Sequence, residues 1–181
     1  MISSSFAESI DTRPAKLWRR LPEDVRMNAA LDFWADPDLV EQQTEAVASI
    51  SQHRHFRPKS ILALPAEKKA RYLATLPSIS DALVMRVVVA FHLNRRRAMM
   101  ADFLDALDIA HADGLISDEN LAAPDPARLE RAVHDLKSKH APDDVWLYFW
   151  TLHWQDPTTW SDLARLTDKT AEPSEAPAAR G

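Results

Sequence analysis

The side chains best suited to chemistry in this chain are carboxylates and imidazoles, because it contains no cysteine. Without a thiol there is no disulfide framework, no thiolate metal site and no cysteine nucleophile. Asp105, Asp108 and His111 follow one another at steps of three, so on a helix they share one face near its end. Two carboxylates and an imidazole form a donor set for a divalent metal or an acid–base site, with His92 as a further candidate. The same spacing also describes a plain solvent face opposite Phe103 and Leu107. His53 and His55 flank Arg54, and a cation between two imidazoles disfavours a bound metal. Asp113-Gly114-Leu115-Ile116 has the form of the second half of an EF-hand loop. Its other ligand positions would be Ile109, His111 and Asn120, which do not hold calcium.

Charge is distributed more sharply than these groups. Residues 53–100 carry ten Lys or Arg (Arg54, Arg57, Lys59, Lys68, Lys69, Arg71, Arg86, Arg95, Arg96, Arg97) against Glu67 and Asp81, a net of +8 in a chain of −5. Residues 1–52 are −4 and residues 101–181 are −9. An acidic protein therefore has a basic middle. One reading is a surface for phosphates, of a nucleic acid or a smaller ligand. The other is a solvated block, or one that faces the acidic C-terminal half.

Within that block, Leu73-Ala74-Thr75-Leu76-Pro77-Ser78-Ile79-Ser80 followed by a helix resembles the helix-hairpin-helix motif of DNA-binding proteins. The resemblance spans about 25 residues within 65–94, with Ser78 and Ser80 where the motif has glycines. It implies that backbone N–H groups of the hairpin meet a DNA phosphate. It implies no family for the rest of the chain. Both serines are also good helix N-caps. Arg95, Arg96 and Arg97 can open the following helix, against its dipole, or close the preceding one, in favour of its dipole. The second reading is preferred for Arg95 and Arg96. The candidate phosphate or nucleic-acid residues are thus Arg54, Arg57, Lys59, Ser78, Ser80, Arg95, Arg96 and Arg97.

The segment Val145–Trp154 is apolar nearly all round, with Trp146, Trp150 and Trp154 four residues apart. Such a helix is normally buried. The alternative is an interface for a partner or for a second copy, since Trp is favoured at binding hot spots.

The elements that must position these groups are helices. The chain of 181 residues has two glycines, Gly114 and Gly181, too few for a phosphate loop, a dinucleotide fingerprint or a nucleophile elbow. Proline marks the helix starts instead, behind acids or caps, as at Asp36-Pro37, Asp125-Pro126 and Asp156-Pro157. The pattern predicts helices at 14–20, 22–35, 37–52, 58–64, 65–75, 80–94, 99–109, 126–139 and 142–155, with a short last one from Pro157. Asp113-Gly114 is read as the stop of the 99–109 helix. Val87-Val88-Val89 could form a strand, but both flanks read as helix. Pro22–Pro37 and Pro142–Pro157 share one spacing of Pro, Val, Trp and Asp-Pro. A duplicated helix pair or a shared capping grammar both give this.

The expected fold is all-α, a multi-helix bundle of about seven to nine helices. A single domain is expected over 14–166, with 1–13 and 167–181 disordered. No signal sequence or long apolar run is apparent, so a cytoplasmic protein with no membrane span is expected. The leading functional expectation is a non-enzymatic binding or regulatory module without a cofactor or metal, with protein partners or self-association. Nucleic-acid binding through 53–100 and an enzyme around Asp105, Asp108 and His111 are the alternatives.

Overall fold

The computed structural model describes residues 13–118 and 120–166. The stretches expected to be disordered lie outside them, except Arg13, whose carbonyl accepts from the N–H of Lys16 at 2.9 Å. The chain is all-α. Ten α-helices are present among the described residues: α1 Pro14–Trp18, α2 Glu23–Ala35, α3 Val40–Arg54, α4 Pro58–Leu62, α5 Ala66–Ala74, α6 Asp81–Arg95, α7 Arg97–Leu107, α8 Pro126–Lys139, α9 Pro142–Gln155 and α10 Ser161–Leu166. They fall into two compact units that meet in sequence at Arg96–Arg97. None of them is long and apolar enough to cross a membrane.

In the first unit, α2 is the spine. Both α5 and α6 pack against it, and α1 packs on α6. Ala29, Ala30, Phe33 and Trp34 of α2 are buried. They meet Ala70, Leu73 and Ala74 of α5 and the Leu83, Val84, Val87 and Val88 side of α6. The valine run is therefore helical. Packing against neighbouring helices outweighs its β-branched preference.

The second unit is built around aromatic rings. Phe103 of α7 lies 5.0 Å from Phe149 and 5.8 Å from Tyr148, both of α9, and 6.1 Å from Trp160. All four rings are buried. Burial also pushes the Tyr148 hydroxyl well above the ordinary tyrosine range.

Two local features differ from expectation. The residues after α7 form a small antiparallel hairpin, β1 His111–Ala112 with β2 Leu115–Ile116, pairing His111 with Ile116 and Ala112 with Leu115. Asp113 and Gly114 both have positive φ, 51° and 87°, as the tight turn of a hairpin requires. Gly114 is thus a hairpin turn residue, not a helix stop. Asp108 takes the stopping role, with φ 60°. The N–H of Asp108 donates to Asp105 O and that of Ile109 to Leu104 O, each at 3.0 Å, the two bonds of a Schellman ending. Aspartate accepts this conformation at lower cost than most residues.

The Pro…Trp-x-Asp-Pro spacing shared by 22–37 and 142–157 has a local cause. Asp36 Oδ1 accepts from the N–H of Asp38 at 2.9 Å. Asp156 Oδ1 accepts from Thr158 at 3.1 Å and Thr159 at 3.0 Å. In both places the aspartate after a long helix caps the next turn. Hydrogen bonds from Thr159, then Thr158, hold the Asp156 carboxyl below its usual range.

Candidate functional site

The basic block does not gather at one place. Its open part is an edge of the first unit where α3, α4 and α5 meet. α3 ends at Arg54, and His55 takes a left-handed φ of 56° that turns the chain out of the helix. Phe56 and Arg57 follow, and Pro58 starts α4. Buried Ile61 anchors α4, so Lys59 and Leu62 are left exposed. On α5, burial of Ala70, Leu73 and Ala74 turns Lys68, Arg71, Tyr72 and Thr75 outward, at i, i+3, i+4 and i+7.

Specific contacts join these two stretches. Arg54 donates from Nη2 to Thr75 Oγ1 at 3.1 Å, and its guanidinium lies 5.3 Å from the centre of the Tyr72 ring. Phe56 meets the same ring edge-on, 5.8 Å between centroids. The Ser51 hydroxyl donates to the Phe56 carbonyl and holds the turn against α3. Arg54, Arg57, Lys59, Lys68 and Arg71 are all exposed. Among the described residues none of the five pairs with a carboxylate. Glu67 is the sole acid in residues 53–76. The remaining lysine of α5, Lys69, is half-buried and sits 4.9 Å above Trp34. Phe56 is 42% exposed and is the one aromatic among the exposed large apolar side chains described. Phe56 and Tyr72 did not stand out in sequence. The signal that could have found them is an aromatic interleaved with cations, Arg54-His55-Phe56-Arg57.

The other candidate cations are engaged elsewhere. Arg95 forms a two-pronged pair with Asp32, Nε–Oδ2 2.6 Å and Nη2–Oδ1 3.1 Å. Arg96 caps α6, with its guanidinium 5.1 Å from the Phe91 ring. Arg97 opens α7 in the second unit and meets Asp113 at 3.2 Å. The helix-ending role expected of Arg95 and Arg96 is therefore their structural position. Ser80 and Arg95 also stand at opposite ends of α6, on the order of 20 Å apart at 1.5 Å per residue.

The hairpin at Pro77–Ser80 is crowded with carboxylates. Ser80 accepts from the Leu83 N–H at 3.1 Å and donates to Glu45 Oε1 at 2.9 Å. Asp81 accepts from the Ala15 N–H at 2.8 Å. Two acids at this helix start already complement its dipole and would repel a phosphate. Arg19 and Arg26 bind carbonyls of the same connection, Pro77 O and, at 2.9 Å, Ala74 O. Ser78 is exposed.

The acid–base constellation keeps its Asp105–His111 pair and loses Asp108. His111 Nε2 faces Asp105 Oδ1 at 3.1 Å, while its Nδ1 accepts from the Gly114 N–H at 3.1 Å. Both ring nitrogens are used to hold the hairpin. Asp108 turns to Arg128, 3.7 Å away. His92 is buried in α6, in the first unit. Among the described residues, no three His, Asp or Glu gather to hold a metal. In α9, Trp150 is buried, and Trp146 and Trp154 are half-buried, with ring centroids 6.5 Å and 6.3 Å from Trp150. Trp150 is core, and Trp146 and Trp154 keep part of their surface open.

No protein-family model, curated protein or solved structure matches the chain.

Proposed function

We propose that this chain is a non-enzymatic binding module and that the basic edge of its first unit takes the phosphate backbone of a nucleic acid. The observation that supports this most is the set Arg54, Arg57, Lys59, Lys68 and Arg71, exposed on neighbouring elements and without carboxylate partners. Exposed cations without carboxylate partners attract a polyanion and gain from counterion release when it binds. Arg54 is held in place by Thr75 and Tyr72, so less side-chain freedom is lost on binding. Ser80, Arg95 and Arg97 meet carboxylates instead. Asp105 and His111 stay 3.1 Å apart but Asp108 turns to Arg128, so the catalytic alternative lacks its third group.

The test is fluorescence anisotropy of labelled oligonucleotides, titrated at a series of salt concentrations. Binding at low salt that weakens steeply as salt rises is expected. Absence of binding at the lowest salt overturns the proposal, because phosphate contacts are strongest there.

A further inference from the structure

We infer that the ligand of this edge is single-stranded, and that Phe56 with Tyr72 behind it is a stacking platform for an unpaired base. The inference rests on the basic-edge reading and adds the class of nucleic acid.

The elements at this edge have anchors other than Phe56, which is 42% exposed. Ile61 fixes α4, and Ala70, Leu73 and Ala74 fix α5. Phe56 is nevertheless held in three ways. The left-handed His55 sets the direction of the chain. The Ser51 hydroxyl binds the Phe56 carbonyl. Tyr72 stands edge-on to its ring. Arg54 lies across Tyr72 on one side, and Arg57 follows Phe56 directly. Cations therefore stand beside a partly exposed aromatic side chain. A duplex keeps its base faces inside the stack and offers this surface only its phosphates. A single strand offers phosphates to the cations and a base face to Phe56, and base–aromatic stacking tolerates any sequence. Charge alone does not favour a strand over a duplex; the oriented ring does. An anionic membrane is the competing surface for cations beside Phe56 and Leu62. The apolar area there is two side chains, small against the broad apolar face of a membrane-surface helix.

The experiment compares a labelled oligothymidine, a duplex of equal length and vesicles of phosphatidylserine and phosphatidylcholine at one low salt concentration. The proteins are wild type, Phe56→Ala, Phe56→Leu and Phe56→Trp, with melting curves to confirm folding. The strand is expected to bind more tightly than the duplex. Phe56→Ala should weaken strand binding roughly 5- to 150-fold and leave duplex binding unchanged. Phe56→Leu should behave like Phe56→Ala, because it keeps apolar volume and loses the ring. Phe56→Trp should retain affinity and show added fluorescence quenching when the strand binds. Equal loss on strand and duplex, or no loss on either, overturns the stacking platform and leaves the basic edge standing. No oligonucleotide binding, with or without vesicle binding, overturns both.

Discussion

The two units handle charge in opposite ways. Residues 1–96 carry 14 Lys or Arg against 11 Asp or Glu, a net of +3, and residues 97–181 carry 8 against 16, a net of −8. In the acidic unit, arginines meet carboxylates: Arg97 with Asp113, Arg128 with Asp108 and Arg165 with Glu130. Its His111 and His140 face Asp105 and Asp102. In the basic unit, Arg95 meets Asp32, but Arg19 and Arg26 cap carbonyls and Arg54 and Lys69 lie over rings. Arg128 and Lys137 of the acidic unit bind carbonyls as well, but among the described residues the cations that lie over rings are in the basic unit. Cations that find neither remain open to an external anion. The interior differs too. The second unit concentrates its aromatics in one cluster around Phe103, whereas the first leaves an aromatic, Phe56, at the surface.

That contrast between aromatics should give the largest effect. Phe103→Ala empties the centre of the ring cluster and should cost about 3–5 kcal/mol. Phe56→Ala should cost about 1–2 kcal/mol, since it gives up one edge contact and a side chain that is already 42% exposed. Urea denaturation of both variants checks this. A comparable loss from Phe56→Ala would mean that the ring is structural and would remove the contrast.

Charge reversal comes next. Replacing Arg54, Arg57 and Lys59 together by Glu should weaken oligonucleotide binding at low salt by at least about 100-fold and reduce the salt-dependence slope by about 2. The matched reversal of Arg128, Arg131 and Arg165 in the second unit should leave the slope as in wild type. It changes net charge equally but removes no phosphate contact. Equal slopes for both variants would locate the binding outside the α3–α5 edge.

Two left-handed residues, one in each unit, should respond oppositely to substitution. Gly114 has φ 87°, and a Cβ there would come within 2.8 Å of Met100 Cβ. Gly114→Ala combines backbone strain with a clash and should cost about 1–3 kcal/mol. His55 holds a similar conformation with a side chain, so His55→Gly should relieve strain and raise stability by a few tenths of a kcal/mol to about 1 kcal/mol. Opposite signs for the two substitutions in thermal melts are the expected outcome.

The sequence made most elements legible because proline and aspartate mark helix starts independently of tertiary context. Pro126–Lys139 and Pro142–Gln155 begin and end where the pattern places them. Helix ends were harder. Asp113-Gly114 fits a helix stop and a hairpin turn equally well, and Asp108 decides between them by adopting a conformation that its residue type permits but does not require. The candidate surface was half legible. Arg54, Arg57 and Lys59 stand together because one turn links α3 to α4. Arg95 to Arg97 share the same charge, but their partners, Asp32, the Phe91 ring and Asp113, are set by tertiary packing. Charge patterning counts cations and does not reveal which ones meet a carboxylate. The pairing of Phe56 with Tyr72 joins residues 16 apart through an α3–α5 contact that no local pattern encodes.

The smallest predicted effect separates the two hairpin serines. Ser80 accepts the Leu83 N–H as the N-cap of α6 and donates to Glu45. Ser80→Ala should therefore cost about 1 kcal/mol, the usual loss of a cap. Ser78 is exposed with no side-chain hydrogen bond among the described residues, so Ser78→Ala should be neutral within about 0.5 kcal/mol. Neither substitution should alter oligonucleotide affinity, because Glu45 and Asp81 already occupy the electropositive start of α6. A drop in affinity for Ser78→Ala or Ser80→Ala at unchanged stability would place the phosphate at the hairpin, as the helix-hairpin-helix resemblance implies, instead of at the α3–α5 edge. Stability and affinity measured on the same two variants therefore decide between the two candidate anion sites.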